Sequence, residues 1–97
     1  VYTLRGQVYA AATATLTVAP NPFNPRTTVA FDAPADGRAT LEIFDLSGRR
    51  MATLLDSPVT AGRHEVRWSD QTLPSGVYLL RLQQGPHAAT TRLTLVR

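Results

Sequence analysis

Every apolar run in this chain alternates at period two, and none recurs at the three- to four-residue spacing of a helix face. The strongest run is Ser75-Gly76-Val77-Tyr78-Leu79-Leu80-Arg81-Leu82, where a turn signal passes at once into a strand signal. Tyr78, Leu80 and Leu82 share one face; Val77, Leu79 and Arg81 share the other. Only Arg81 is charged, so both faces are expected to be largely covered, as in an inner strand of a layered β-domain.

Six further strands are expected. Residues 16–19 place Leu16 and Val18 inward, and Pro20, which has no ladder donor, ends them. Residues 27–31 set Thr27, Val29 and Phe31 on one face. Residues 38–46 turn Leu41 and Ile43 inward and Thr40, Glu42 and Phe44 outward. Asp45-Leu46-Ser47-Gly48-Arg49 reads as a tight hairpin with Gly48 in the left-handed position of a type I turn plus bulge. Residues 51–55 predict a short edge strand containing Met51, followed by a loop over 56–62 through Pro58 and Gly62. Residues 63–68 alternate His64, Val66 and Trp68 with Arg63, Glu65 and Arg67, a row suited to pairing with Glu42. Residues 90–96 close the set, with Leu93 and Leu95 inward.

Seven short strands joined by Gly, Pro, Asn and Ser loops predict an all-β, antiparallel, immunoglobulin-like sandwich. There is no cysteine, hence no disulfide and no thiolate metal site. Residues 1–13 are expected to be a linker or N-terminal extension, with Gln7 to Tyr9 available at a sheet edge or a short helix over 9–14. The sandwich domain is expected over 14–97. The whole chain of 97 residues suits a single domain burying roughly 60–65% of its extended-chain surface.

Between the first two strands stands Pro20-Asn21-Pro22-Phe23-Asn24-Pro25. Three prolines fix φ, and Asn21 and Asn24 can close Asx turns. Phe23 is expected to plug one end of the core, with Leu73 anchoring a later loop.

Ten arginines against seven acids give a net charge of +3, with the arginines dispersed rather than gathered in a stripe. That distribution argues against nucleic-acid binding. No apolar run reaches membrane-spanning length, and the N-terminus, which lacks methionine, shows no signal peptide. His64 is expected at the edge of the core, held by a hydrogen bond, and His87 in a solvated turn. Asp32, Asp36, Asp45, Asp56 and Asp70 flank turns and read as turn caps, a loop calcium site being the sharper reading. Ser47, Ser69 and Ser75 lie outside any nucleophile elbow. No catalytic residue, metal site or cofactor is expected. The one exposed patch expected is Phe44 with Arg63 and Arg67.

Five blocks occur in one order: Pro20-Asn21-Pro22-Phe23-Asn24-Pro25, Phe44-Asp45-Leu46-Ser47-Gly48-Arg49, Ala61-Gly62-Arg63-His64-Glu65-Val66-Arg67-Trp68, Leu73-Pro74-Ser75-Gly76-Val77-Tyr78, and Thr91-Arg92-Leu93-Thr94-Leu95-Val96-Arg97. Over roughly residues 16–97 this resembles the C-terminal sorting domain of the type IX (Por) secretion system, similar to the immunoglobulin-like domain of the flagellar-hook capping protein. The resemblance implies a seven-stranded, non-catalytic module closing a larger secreted enzyme or adhesin of Bacteroidetes-like bacteria. Its implied partners are the outer-membrane secretion machinery, a sortase-like peptidase and the upstream domain of the same polypeptide. The implied location is the cell surface, and the module is expected to be monomeric. Export is implied to rest on Gly76 and Tyr78 and on the strand Arg92, Leu93, Thr94, Leu95, Val96 and Arg97, which carries arginine where lysine is common in the family. A carbohydrate-binding accessory module and a structural immunoglobulin-like module are the alternatives.

Overall fold

The computed structural model describes residues 14–69 and 72–97. Seven strands run in order: β1 (Thr15–Ala19), β2 (Arg26–Ala33), β3 (Gly37–Phe44), β4 (Arg50–Val59), β5 (Gly62–Ser69), β6 (Gly76–Gln84) and β7 (His87–Leu95). They form two antiparallel sheets, β1-β2-β5 and β4-β3-β6-β7. Hairpins join β1 to β2, β3 to β4 and β6 to β7, while the other connections pass from one sheet to the other. The result is the immunoglobulin-like sandwich that the alternation predicts.

Phe31, Val29, Leu41, Ile43, Tyr78, Leu80, Leu82, Leu93 and Leu95 are buried and pack as one cluster with Phe23, Ala33, Ala39 and Leu73. Burying a side chain of the Leu or Phe class contributes about 1.5–3 kcal/mol, and this is the term that closes the sheets on one another. Leu16, Val18, Met51, Val66 and Trp68 are half-buried against that cluster, because β1, β4 and β5 are edge strands. β6 lies between β3 and β7, an inner strand as its two covered faces predict.

Three expectations need correcting. β4 runs ten residues rather than five and takes in Asp56 and Pro58. An edge strand tolerates a proline because it need not donate on its open side, so Pro58 faces Arg38 across the ladder without ending it. Arg63, Glu65 and Arg67 face Asp32, Ala30 and Thr28 of β2, whereas Glu42 lies in the other sheet and pairs with Arg50 at 2.9 Å. β7 begins at His87, which is half-buried opposite Gln84 instead of solvated in a turn.

Candidate recognition surface

The strand register places the loop 20–25, the hairpin 45–49, the segment 72–75 and residues 96–97 at one end of the sandwich. Gly62 and the turns at 34–36 and 85–86 lie at the other. Four of the five sequence blocks thus reach one end, and the fifth runs its length, from Gly62 to Trp68 beside Thr27.

At that end the loop 20–25 closes the edge of β7. Phe23 forms an isolated parallel bridge with Leu95: its N–H donates to the Thr94 carbonyl (2.9 Å), and its carbonyl accepts from Val96 N–H (2.8 Å). Asn21 extends the pairing with its side chain. Its Nδ2 donates to the Arg92 carbonyl (2.9 Å), and its Oδ1 accepts from Thr94 N–H (3.0 Å). The carboxamide therefore stands in for a strand peptide; it does not close the local Asx turn expected of it. Asn24 is exposed. The Ala19–Pro20 and Asn21–Pro22 peptides are cis, and the Pro20 carbonyl accepts from the buried Thr27 hydroxyl (2.8 Å). Phe23 is 1% exposed, a plug as expected, with its ring 5.3 Å from that of Trp68.

A second device fixes the segment before β6. The Tyr78 hydroxyl donates to the Pro74 carbonyl four residues upstream (2.7 Å), the arrangement of a tyrosine corner. Arg97 holds the same segment from the other side, its Nε donating to the Leu73 carbonyl (2.5 Å) and its main-chain N–H to Ser75 Oγ (3.0 Å). Gly76 has ordinary strand geometry, and a Cβ there would sit 3.9 Å from the Tyr78 ring. Nothing in the backbone explains its place in the motif.

In the third device Gly48 adopts φ +92°, the left-handed value the bulged hairpin requires. Gly48 N–H donates to the Asp45 carbonyl (3.0 Å) and Asp45 N–H to the Arg49 carbonyl (2.9 Å). The Asp45 carboxylate accepts from the Ser47 hydroxyl (2.6 Å) and from the N–H groups of Ser47 and Arg49 (both 2.9 Å). These bonds, the Ser47 hydroxyl first and then the Arg49 N–H, hold its pKa below the usual 3.8.

Asp32, Asp36, Asp56 and His64 have structural partners. Asp32 accepts from the Thr15 hydroxyl, Asp36 accepts from Ala61 N–H ahead of Gly62 (φ +117°), and Asp56 pairs with Arg38 at 3.0 Å. His64 Nε2 donates to the Thr60 carbonyl at 2.6 Å, and its ring stacks on Phe31. Asp70 lies outside the described residues, as do residues 1–13. Among the described residues no three His, Asp or Glu side chains converge on a metal-sized space. Phe44 does not share a patch with Arg63 and Arg67: those lie on the other sheet, and the guanidinium over its ring is that of Arg81, 5.9 Å from the centroid. A groove of about 260 Å³ opens beside Pro20, Arg26, Arg67 and Trp68; it went unseen in the sequence because Arg26 and Trp68 come from adjacent strands of distant sequence number.

The sandwich core is filled, and four of the five sequence blocks gather at one end of it. The chain belongs to the secretion system C-terminal sorting domain family, whose model matches residues 17–96. It is thus a non-catalytic sorting domain of the type IX (Por) kind. Two solved structures from Porphyromonas gingivalis share the fold. Dimeric latent PorU matches with TM-score 0.69 and 19% identity over 86% of this chain and 9% of that one. PorZ, an essential surface component of the type IX secretion system, matches with TM-score 0.57 and 22% identity over 84% of this chain and 11% of that one. The chain thus spans about a tenth of either protein. No curated protein sequence matches it.

Proposed function

We propose that this domain directs a larger polypeptide through the outer-membrane secretion machinery to the cell surface, and that the machinery reads the end of the sandwich bearing the family blocks. The carrying observation is the family match over residues 17–96. A sortase-like peptidase is the expected second partner, acting where the cargo joins the domain. The residues proposed to be read are Pro20, Asn21, Pro22, Phe23, Asn24 and Pro25, Gly48, Trp68, Gly76 and Tyr78, and the strand Arg92, Leu93, Thr94, Leu95, Val96 and Arg97. Gly62, at the opposite end, serves the fold through its positive φ.

Two of the proposed residues are not equivalent. Arg97 is tied to the main chain of Leu73 and Ser75, whereas Arg92 is exposed and free of ion pairs among the described residues. Charge recognition is therefore tested at Arg92. The chain is fused to a secreted reporter in a bacterium carrying the type IX system. Surface display of the wild-type fusion supports sorting, and retention in the periplasm overturns it. Arg92→Glu is expected to reduce display several-fold with unfolding unchanged; full display removes the charge-recognition part. The groove beside Trp68 gives the carbohydrate reading its one observation. Retardation of the chain by a polysaccharide in affinity electrophoresis, lost in Trp68→Ala, would favour that reading over sorting.

A further inference from the structure

Exposed sheet edges invite a further strand, and folded domains defend them with bulges, prolines, charges or short length. Among the described residues, three of the four edge strands are defended in those ways. β1 has only five residues. β4 carries register shifts at Leu41/Glu42 and Ile43/Phe44 of its partner, together with Pro58, Arg50 and Asp56. β5 presents Arg63, Glu65 and Arg67 in alternation.

β7 is divided. Along a strand the N–H and C=O of one residue point to the same side, and the side alternates with each residue. Asn21 and Phe23 bond Arg92 O, Thr94 N, Thr94 O and Val96 N, so the even-numbered residues face away from β6. It follows that both backbone groups of Ala88 and of Thr90, and the N–H of Arg92, also face outward, beyond the reach of the loop. This half of β7 pairs with β6 without a register shift, and its residues Ala88, Ala89, Thr90 and Thr91 are small and uncharged. Among the described residues it is an edge without proline or register shift, approached from the other sheet by β1, and it stops where Asn21 begins.

We infer that residues 88–92 of β7 are the docking edge for an extended segment of a partner protein, which adds as a fifth strand and carries an acidic side chain beside Arg92. Main-chain bonds to Ala88, Thr90 and Arg92 supply affinity, and the loop 20–25 fixes where the added strand must end. The partner is acidic because Arg92 is the charged side chain on this stretch and has no ion-pair partner among the described residues. A second copy pairing through the same edge brings the same net +3 and sets Arg92 against a stretch, residues 88–92, that contains no Asp or Glu.

This inference rests on the sorting reading, and its test separates the two. Thr90→Pro removes an outward N–H without touching the β6–β7 ladder, so the variant should fold; Ala88→Pro does the same two residues earlier. Thr90→Val keeps the N–H. In the fusion assay the wild type and Thr90→Val should be displayed equally. The proline variants should fall at least about tenfold, with thermal unfolding of the isolated chain close to wild type. A photocrosslinker at Ala88 should capture a secretion component, and the adduct should vanish in Thr90→Pro. Full display of a folded proline variant overturns the docking edge while leaving sorting intact. Unfolding of both proline variants also overturns it, since it would show those N–H groups to be engaged. A concentration-dependent dimer abolished by Thr90→Pro would assign the edge to a second copy. Failure of wild-type display would remove the sorting reading itself.

Discussion

Asp45 shows how much a single half-buried carboxylate can organise. Two N–H groups and a hydroxyl point at it, while the Arg49 guanidinium at 3.3 Å is largely exposed and adds little. A carboxyl whose folded pKa is lowered stabilises the fold above its unfolded pKa and loses that contribution as pH falls through the folded value. Wild type should therefore be more stable than Asp45→Asn at neutral pH, with the gap closing as pH drops below 3.8. Urea unfolding at a series of pH values checks this, and a gap independent of pH would contradict it. Asn21 makes a sharper distinction. Asn21→Ala loses two hydrogen bonds at an exposed site, about 1 kcal/mol in all. Asn21→Asp keeps an acceptor for Thr94 N–H but turns a carboxylate oxygen towards the Arg92 carbonyl. It should be no more stable than the alanine variant, a ranking that urea midpoints at neutral pH decide.

Elements differ in how openly the sequence declares them. Period-two alternation in 27–31, 38–46 and 77–82 reports which face of a strand is inward. Val29, Phe31, Leu41, Ile43, Tyr78, Leu80 and Leu82 are buried as it predicts, while the small Ala30 is buried on the other face and β3 ends at Phe44, before the turn at Asp45. Alternation is silent about which sheet a strand joins. That is why it suggests pairing Glu42 with the 63–68 strand and Phe44 with Arg63 and Arg67, although the two sets lie on different sheets. β4 reads five residues short because Asp56 and Pro58 are favoured turn residues that an edge strand also admits. The end-capping loop was legible as an ordered, Phe-anchored segment, but its partners lie about 70 residues away and no local signal names them. The loop's energetic weight is open to direct measurement. Phe23→Ala empties a fully buried site and should cost about 3–5 kcal/mol. It should also shift the emission of the single tryptophan, Trp68, whose ring loses its neighbour. Phe23→Leu should fall between the two in both measurements. Unchanged emission in Phe23→Ala would mean that the contact is not formed in solution.

At the scale of the whole molecule, the last strand is at once a wall of the core, the backbone partner of the loop 20–25 and the proposed reading surface. A chain ending after Ala89 would lose the buried Leu93 and Leu95, about 1.5–3 kcal/mol each. It would also lose both bonds to Phe23 and the hold of Arg97 on the segment before β6. Those losses together reach the 5–15 kcal/mol that a whole domain typically commands. The truncated chain should therefore show no cooperative thermal transition and no dispersed amide spectrum. A cooperative transition surviving in it would show that β7 is an accessory to the sandwich and not one of its walls. Loss of display on truncation consequently reports folding before it reports recognition. Only substitutions on the outward side of β7, at Ala88, Thr90 and Arg92, can separate the two, because their side chains lie on the face opposite the core and their free backbone groups point away from β6 in the plane of the sheet.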